Sequence, residues 1–397
     1  MRANKKKVIF VIHRLTHGGV QHSLFKLLNH IDYNNNDVDL LVLENKAELK
    51  NEINSNVNVV ICENVCNYEK NFVSLFFLFL SKVCKSLNFK SLYEKLNRFQ
   101  TSYIYNKKYK YINKKYIKKL PEYDVAVSYI QSYPSIVAAE YIKADKKIMF
   151  YHSSVDELHD VNEKIIDKYD SVVAVNSAVA GVIKKAYPHA KEKVEVLDIF
   201  VDYKEIREKA KAEDVKFNTD CVNIVSCGRL SKEKGYDLAV RASSLLAKSN
   251  IKFHWYFVGD GPEREMLEDL IKTEKLEGYI TITGFKNNPF PYVKSCDIFV
   301  QSSYLDANPL TIEEAKMLCK PIVSTRTLGG KFMIEEGETG ITSEINAEDL
   351  SKQIRFLIEN PKMMNKIVDN LEKISYENQD EEYTKSIENI LSRLKNE

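Results

Sequence analysis

The chain has 397 residues, 44% hydrophobic and 29% charged, which suits two or three globular domains and excludes a collagenous, wholly disordered or membrane-embedded class. Its net charge of +2 conceals a split: residues 1–200 carry 30 Lys/Arg against 22 Asp/Glu, and the remainder carries 28 against 34. The basic front half calls for an anionic counterpart, with a membrane surface, a phosphorylated lipid and nucleic acid as candidates.

In chain order, Met1–Lys7 is basic, but only the five apolar residues Val8–Ile12 precede His13-Arg14, so a signal peptide is not expected. Apolar, β-branched runs then alternate with helical patterns, which predicts an α/β chain with parallel sheets and crossover helices. A first series of strands covers Lys7–His13, Asp39–Leu43, Val57–Ile61, Asp124–Tyr129, Lys147–Tyr151, Ser171–Val175 and Lys193–Leu197. A second covers Val222–Cys227, Lys252–Val258, Ile280–Thr283, Asp297–Gln301 and Pro321–Ser324. These runs are nearly continuous in apolar residues, as strands buried on both faces should be. The polar stretch Asp202–Asp220 between them is read as a linker, which puts domains at 1–200 and 201–380, followed by a last helix within 381–397.

An insertion at about 72–120 interrupts the first series. It opens with Phe72–Leu80, too short to span a bilayer, and continues with 12 Lys/Arg and a single acid, Glu94, between Lys82 and Lys119. Aromatic and leucine residues are interleaved at helical spacing. Either this basic amphipathic helix lies on an anionic membrane surface, or it is a solvated lysine face packed on its own domain. Nucleic-acid binding is not expected, because no helix-turn-helix, RNA-recognition or zinc-finger pattern accompanies it. Seven cysteines without a Cys-x-x-Cys pair fit neither a disulfide framework nor a zinc site, and a reducing cytosol is the expected setting.

Candidate chemistry lies in the second series. Gly228-Arg229-Leu230 and Lys234-Gly235 follow a strand and precede a helix, so Arg229 and Lys234 fall on a loop at a strand's carboxyl end, where open α/β sheets bind ligands. Gly259-Asp260-Gly261-Pro262 is a second such loop, although Gly-x-Gly-Pro is also a plain turn. Asp306-Ala307-Asn308-Pro309-Leu310 again follows a strand and opens a helix, with Pro309 at the first helical position and Glu314 inside it. Free amides at that helix start suit an anion, and the carboxylates of Asp306 and Glu314 can accept from hydroxyls. Taken alone, the two acids equally fit a turn cap and a solvated helix face.

These residues in this order resemble the family 4 glycosyltransferases, retaining enzymes of the GT-B fold common in bacterial capsule and lipopolysaccharide assembly. The resemblance is strongest from Gly228 to Gly340, where Lys320-Pro321 and the glycines Gly329, Gly330, Gly337 and Gly340 complete the pattern. It implies two Rossmann-like domains facing across a cleft, with the acceptor on the first and the nucleotide sugar on the second. It also implies that Arg229 and Lys234, with Gly228, Asn308, Pro309 and Leu310, hold the donor, that Glu314 meets the ribose and that Asp306 meets the donor sugar. His152, at the end of a strand, is placed at the reaction centre by the same analogy, and Gly18-Gly19 matches the glycine loop that serves acceptor or phosphate.

Two departures stand out: Asp306 replaces the family's glutamate, and Ala307-Asn308 replaces the usual Gly-Phe. The implied reaction is retaining transfer from a nucleotide-diphosphate sugar, expected to be UDP-linked, to a lipid-linked or free saccharide at the inner face of the cell membrane. No cofactor is expected. Asp37-Val38-Asp39 is the one Asp-x-Asp, yet it begins a first-series strand, so a metal is not expected and the two cations would take the leaving-group charge. Two alternatives remain open, a non-catalytic glycosyltransferase-like partner subunit and a sugar-nucleotide epimerase of the same fold.

Overall fold

A computed structural model describes residues 5–16, 18–45, 47–63, 80, 108–152 and 163–392. The chain divides into two compact units, Met1–Phe200 with Asp380–Glu397, and Val201–Gln379.

Unit 1 is built on β1 (Lys6–Ile12), β2 (Asn36–Val42), β3 (Val57–Ile61), β4 (Tyr123–Ser128), β5 (Ala144–Tyr151), β6 (Ser171–Ala174) and β7 (Val194–Val196). They form one parallel sheet in the order β3-β2-β1-β4-β5-β6-β7. Val8, Phe10 and Ile12 of β1 lie in the core with Leu24, Leu27 and Leu28 of helix Gly19–Asn29. The helix Gln379–Ser392 joins this core from the far end of the chain through Tyr383, Ile387, Ile390 and Leu391. Its last carbonyls are satisfied by lysines of the sheet: Lys146 Nζ donates to Ile390 O at 2.6 Å and Lys6 Nζ to Leu391 O at 3.1 Å. Cations at a helix carboxyl end are favoured by both the unpaired carbonyls and the helix dipole.

Unit 2 contains β8 (Val222–Cys227), β9 (Phe253–Val258), β10 (Ile280–Gly284), β11 (Ile298–Gln301), β12 (Ile322–Thr325) and β13 (Ile341–Ser343), parallel and ordered β10-β9-β8-β11-β12-β13. Trp255, Phe257 and Ile298 line one side of this sheet together with Leu350, Ile354 and Leu357 of helix Ala347–Glu359. The strand order reverses between β8 and β11, so the connections leaving these strands in opposite directions open a crevice at their carboxyl ends.

The parallel α/β architecture agrees with the apolar runs, and several local readings are corrected. Residues 202–220 are not a structureless linker. Asp202 caps helix Tyr203–Ala210 by accepting from Glu205 N at 2.9 Å, and Ile206 packs with Val201 and Met317. The strand β13 was not foreseen, since its three residues offer one large apolar side chain, Ile341. Pro262 and Pro309 both precede their helices, which begin at Arg264 and Leu310. Most of the basic aromatic insertion lies outside the described residues. Within its described end, Lys110, Lys114, Lys115, Lys118 and Lys119 are exposed, and Lys115 stands over the rings of Tyr111 and Tyr116. No helix among the described residues is long and apolar enough to cross a membrane.

Candidate active site

The crevice between β8 and β11 brings the loops 228–235 and 302–309 side by side. Gly235 makes that approach possible: it adopts φ +64°, and a Cβ there would stand 2.1 Å from Ser302 O. Any side chain would push the loops apart, besides straining a left-handed backbone. Cross-loop bonds hold the contact, with Tyr304 N and Leu305 N donating to Glu233 O at 2.9 and 3.2 Å, and Ser302 Oγ donating to Lys234 O at 3.1 Å.

This packing places Lys234 Nζ 2.7 Å from Asp306 Oδ2, with 30% of the lysine side chain exposed against 10% of the aspartate. Gln301, the buried last residue of β11, donates from Nε2 to the same oxygen at 3.3 Å and to Ser303 Oγ at 2.8 Å. Its Oε1 accepts from Thr311 Oγ1 at 3.1 Å. Asn308 N donates to Asp306 Oδ1 at 3.3 Å, which closes a turn around the carboxylate. Gly329 is a second close approach, because a Cβ on it would lie 2.3 Å from Pro309 Cδ, and its N–H bonds Asp306 O at 2.9 Å. Arg229 is exposed, and no hydrogen bond to its guanidinium is found among the described residues. Its charge therefore stands ready for a ligand. Gly228 lines the same loop, its N–H donating to Val258 O at 3.1 Å.

Helix Leu310–Met317 starts behind Pro309 with no side chain capping it; Ile312 N is bonded to Pro309 O at 2.9 Å, which leaves the amides of Leu310 and Thr311 for an anion. Glu314 lies partly buried on this helix, without a hydrogen-bond partner for its carboxylate among the described residues, and burial pushes its pKa from 4.5 up to about 7. Lys209, on the adjoining helix, offsets part of that rise. A desolvated carboxylate lacking partners is a costly arrangement that hydroxyl donors of a ligand would relieve. Leu310 instead joins the cluster of Val201, Ile206 and Met317, so its side chain is spent on packing.

The remaining candidates lie in unit 1. His152 follows β5, its N–H donating to Gln131 Oε1 at 3.0 Å and its ring 5.1 Å from that of Tyr129. Burial pushes the imidazole down to about 4, so the ring is neutral at pH 7, and its Nε2 has no hydrogen-bond partner among the described residues. Gly18 precedes helix Gly19–Asn29 in an extended conformation, at the carboxyl end of β1. Asp39, in contrast, is tied into the fold by bonds from Tyr123 Oη at 2.5 Å and Asn58 Nδ2 at 2.9 Å. No group of three or more His, Cys, Asp or Glu among the described residues is arranged to hold a metal.

Sequence reasoning missed Gln301 and Thr311, whose only signal is a polar residue closing an apolar strand and a threonine in the next helical turn. It also gave His13 no role, whereas its Nε2 stands 3.1 Å from Glu44 Oε1.

Residues 207–374 match the family described as Glycosyl transferases group 1. Over 174 residues, 43% of this chain, 29% are identical to the N-acetylgalactosamine-N,N'-diacetylbacillosaminyl-diphospho-undecaprenol 4-alpha-N-acetylgalactosaminyltransferase of Campylobacter jejuni. Over 203 residues, 26% are identical to the putative colanic acid biosynthesis glycosyltransferase WcaL of Escherichia coli. The chain spans about half the length of these curated relatives, 46% and 48%. Among solved structures, Anabaena HepE in complex with UDP superposes with a TM-score of 0.68 over 97% of this chain and 99% of its own, at 15% identity. That likeness identifies the fold as GT-B.

Proposed function

We propose, for a chain whose residues 207–374 match the group 1 glycosyl transferases, that it transfers a sugar with retention from a UDP-linked donor to a lipid-linked or free saccharide acceptor in cell-surface polysaccharide assembly. The observation that carries this reading is the β8/β11 crevice, whose loops carry exposed Arg229, partly exposed Lys234, a helix start and the unpartnered, desolvated Glu314.

A departing nucleoside diphosphate needs its charge taken up. Arg229 is suited to a forked contact with phosphate oxygens, and Lys234 to a point contact beside it. The uncapped amides of Leu310 and Thr311 add partial positive charge at the helix start. Glu314 accepts from the ribose hydroxyls, which supply the partners its carboxylate lacks. On unit 1 itself, His152 offers a neutral ring to an acceptor, and Gly18-Gly19 a backbone free of side chains for acceptor or phosphate. In this reading the two cations replace a metal. UDP as the base-bearing half is supported by the fold's likeness to a UDP complex, and the lipid-linked acceptor by the name of the Campylobacter relative.

The exposed lysines 110, 114, 115, 118 and 119, with Tyr111 and Tyr116, support peripheral attachment of residues 72–120 to the anionic inner face of the membrane. Thermal melting with a panel of sugar nucleotides tests the donor, since a ligand of the folded state raises its stability by mass action. Failure of every nucleotide to shift the melt would sink the assignment. Turnover of a nucleotide sugar without acceptor, giving an isomer, would point to an epimerase instead.

A further inference from the structure

We infer that Gln301 and Asp306 form a positioning unit for Lys234, and that Asp306 serves the reaction through this ammonium and not by gripping the donor sugar. The inference rests on the donor reading above.

The carboxylate of Asp306 is already engaged. Oδ2 receives Lys234 Nζ at 2.7 Å and Gln301 Nε2 at 3.3 Å, and Oδ1 receives Asn308 N at 3.3 Å. A carboxylate offers about four acceptor sites, so three occupied ones leave little for a pair of vicinal hydroxyls. Lys234 is in the opposite condition. One of its three donors meets Asp306, and its side chain is three times as exposed, 30% against 10%, so the remaining donors look outward to an anion. The pair thus has an inward acid and an outward base.

Gln301 fixes the direction of that pair. Its side chain is bonded on both sides, with Thr311 Oγ1 donating to Oε1 and Nε2 donating to Ser303 Oγ and Asp306. Turning the amide over would set its carbonyl oxygen against the carboxylate and lose that bond, whereas the Thr311 and Ser303 hydroxyls can pair with either end of the amide, so it is the Asp306 carboxylate that fixes the amide's orientation. Ser303 is itself anchored, its carbonyl accepting from Thr325 Oγ1 at 2.6 Å. The unit therefore rests on the ends of β11 and β12, and a supporting shell of this kind preorganises a charged group for its ligand. The aspartate side chain, one methylene shorter than glutamate, suits the arrangement by keeping the carboxylate drawn back on Lys234 and Gln301.

The test is a double-mutant cycle on the full chain, reading kcat/KM for UDP-sugar turnover in the wild type, Asp306→Asn, Lys234→Met and the double variant. A group acting through Lys234 has nothing to act on once that ammonium is gone. Asp306→Asn should lower kcat/KM about tenfold or more beside Lys234, the loss of one charge-assisted bond, and cause no further loss in the Lys234→Met chain. Equal losses in both backgrounds would overturn the inference and return Asp306 to the sugar. Gln301→Leu should shift kcat with little change in KM, and a change confined to KM counts against it.

If the wild type turns over no UDP-sugar, the donor reading fails first, and the pair is then read without substrate. Lys234 should acetylate faster with acetic anhydride in Asp306→Asn than in the wild type, and equal rates would overturn the inference on their own.

Discussion

Glu44 and Lys108 form an ion pair of 3.0 Å in which neither side chain is more than 4% exposed, just beyond the carboxyl end of β2. Arg14 Nη2 lies 3.7 Å from the other oxygen. The His13 ring and the Lys108 ammonium hold the Glu44 carboxyl down to about 2, against the opposing effect of burial. Breaking a buried pair from one side leaves a charge without water, so Lys108→Met should destabilise unit 1 by about 3–5 kcal/mol. Adding Glu44→Gln should recover most of that loss. In the wild type the contribution is present above pH 4.5, the ordinary carboxyl value, and is lost as pH falls toward about 2. Urea melts of the three chains between pH 3 and pH 7 check each statement.

Glu314 carries the opposite sign. Its folded pKa is raised by burial from 4.5 to about 7, so ionisation works against folding increasingly as pH climbs between these values. Glu314→Gln should therefore melt higher than the wild type at pH 8, by on the order of 2 kcal/mol, and match it near pH 5. The same change should weaken UDP binding. Wild-type affinity should rise from pH 6 to pH 8 as the carboxylate forms to accept from the ribose, and the variant should show no such rise. A variant neither stabilised at pH 8 nor altered in its pH profile would show that Glu314 meets water and not nucleotide.

Arg229 separates binding from stability. Its guanidinium is exposed and has no hydrogen-bond partner among the described residues, so Arg229→Ala should leave the melting temperature of the free chain unchanged to within about 1 °C. UDP affinity should fall about 10- to 100-fold, as for the loss of a charge-assisted contact. Calorimetric titration reads both ends of this prediction.

Lys146 tests the attachment of the last helix. It donates to Ile390 O at 2.6 Å from a position only 8% exposed. Lys146→Met keeps much of the side chain's volume but leaves that carbonyl short of a partner, which should cost about 1–3 kcal/mol. Lys6→Met, at the more accessible Leu391 carbonyl, should cost less. Hydrogen exchange in Gln379–Ser392 should quicken in the first variant more than in the second.

The α/β architecture could be read from the chain because strands covered on both faces must be apolar throughout, as Val222–Cys227 and Ile298–Gln301 are. Helix Tyr203–Ala210 escaped because its buried residues are Ile206 and Ala210 alone, too thin a stripe to stand out among charges. The site was legible as motifs but not as contacts. Lys234 and Asp306 are 72 residues apart, and nothing local in either segment says that they touch. Their meeting depends on β11 lying beside β8, a fact of strand order, and on Gly235 admitting Ser302 O. Gln301 was invisible for the same reason, since its partners Thr311 and Asp306 matter only once the carboxylate's other ligand is known.

The return of the chain to unit 1 sets the order in which the protein can be built. Phe10, Leu27, Phe150 and Leu197 leave the ribosome with the first half, but Ile387, Ile390 and Leu391, which cover them, come after all of unit 2 has been translated. During synthesis the first unit must wait with an uncovered apolar groove, whereas the second has every strand of its sheet by Ser343. Chains truncated after residue 378 and released from the ribosome should therefore expose unit 1 to chaperones and proteases while unit 2 resists them. A peptide of residues 379–392 supplied in trans should shorten that window.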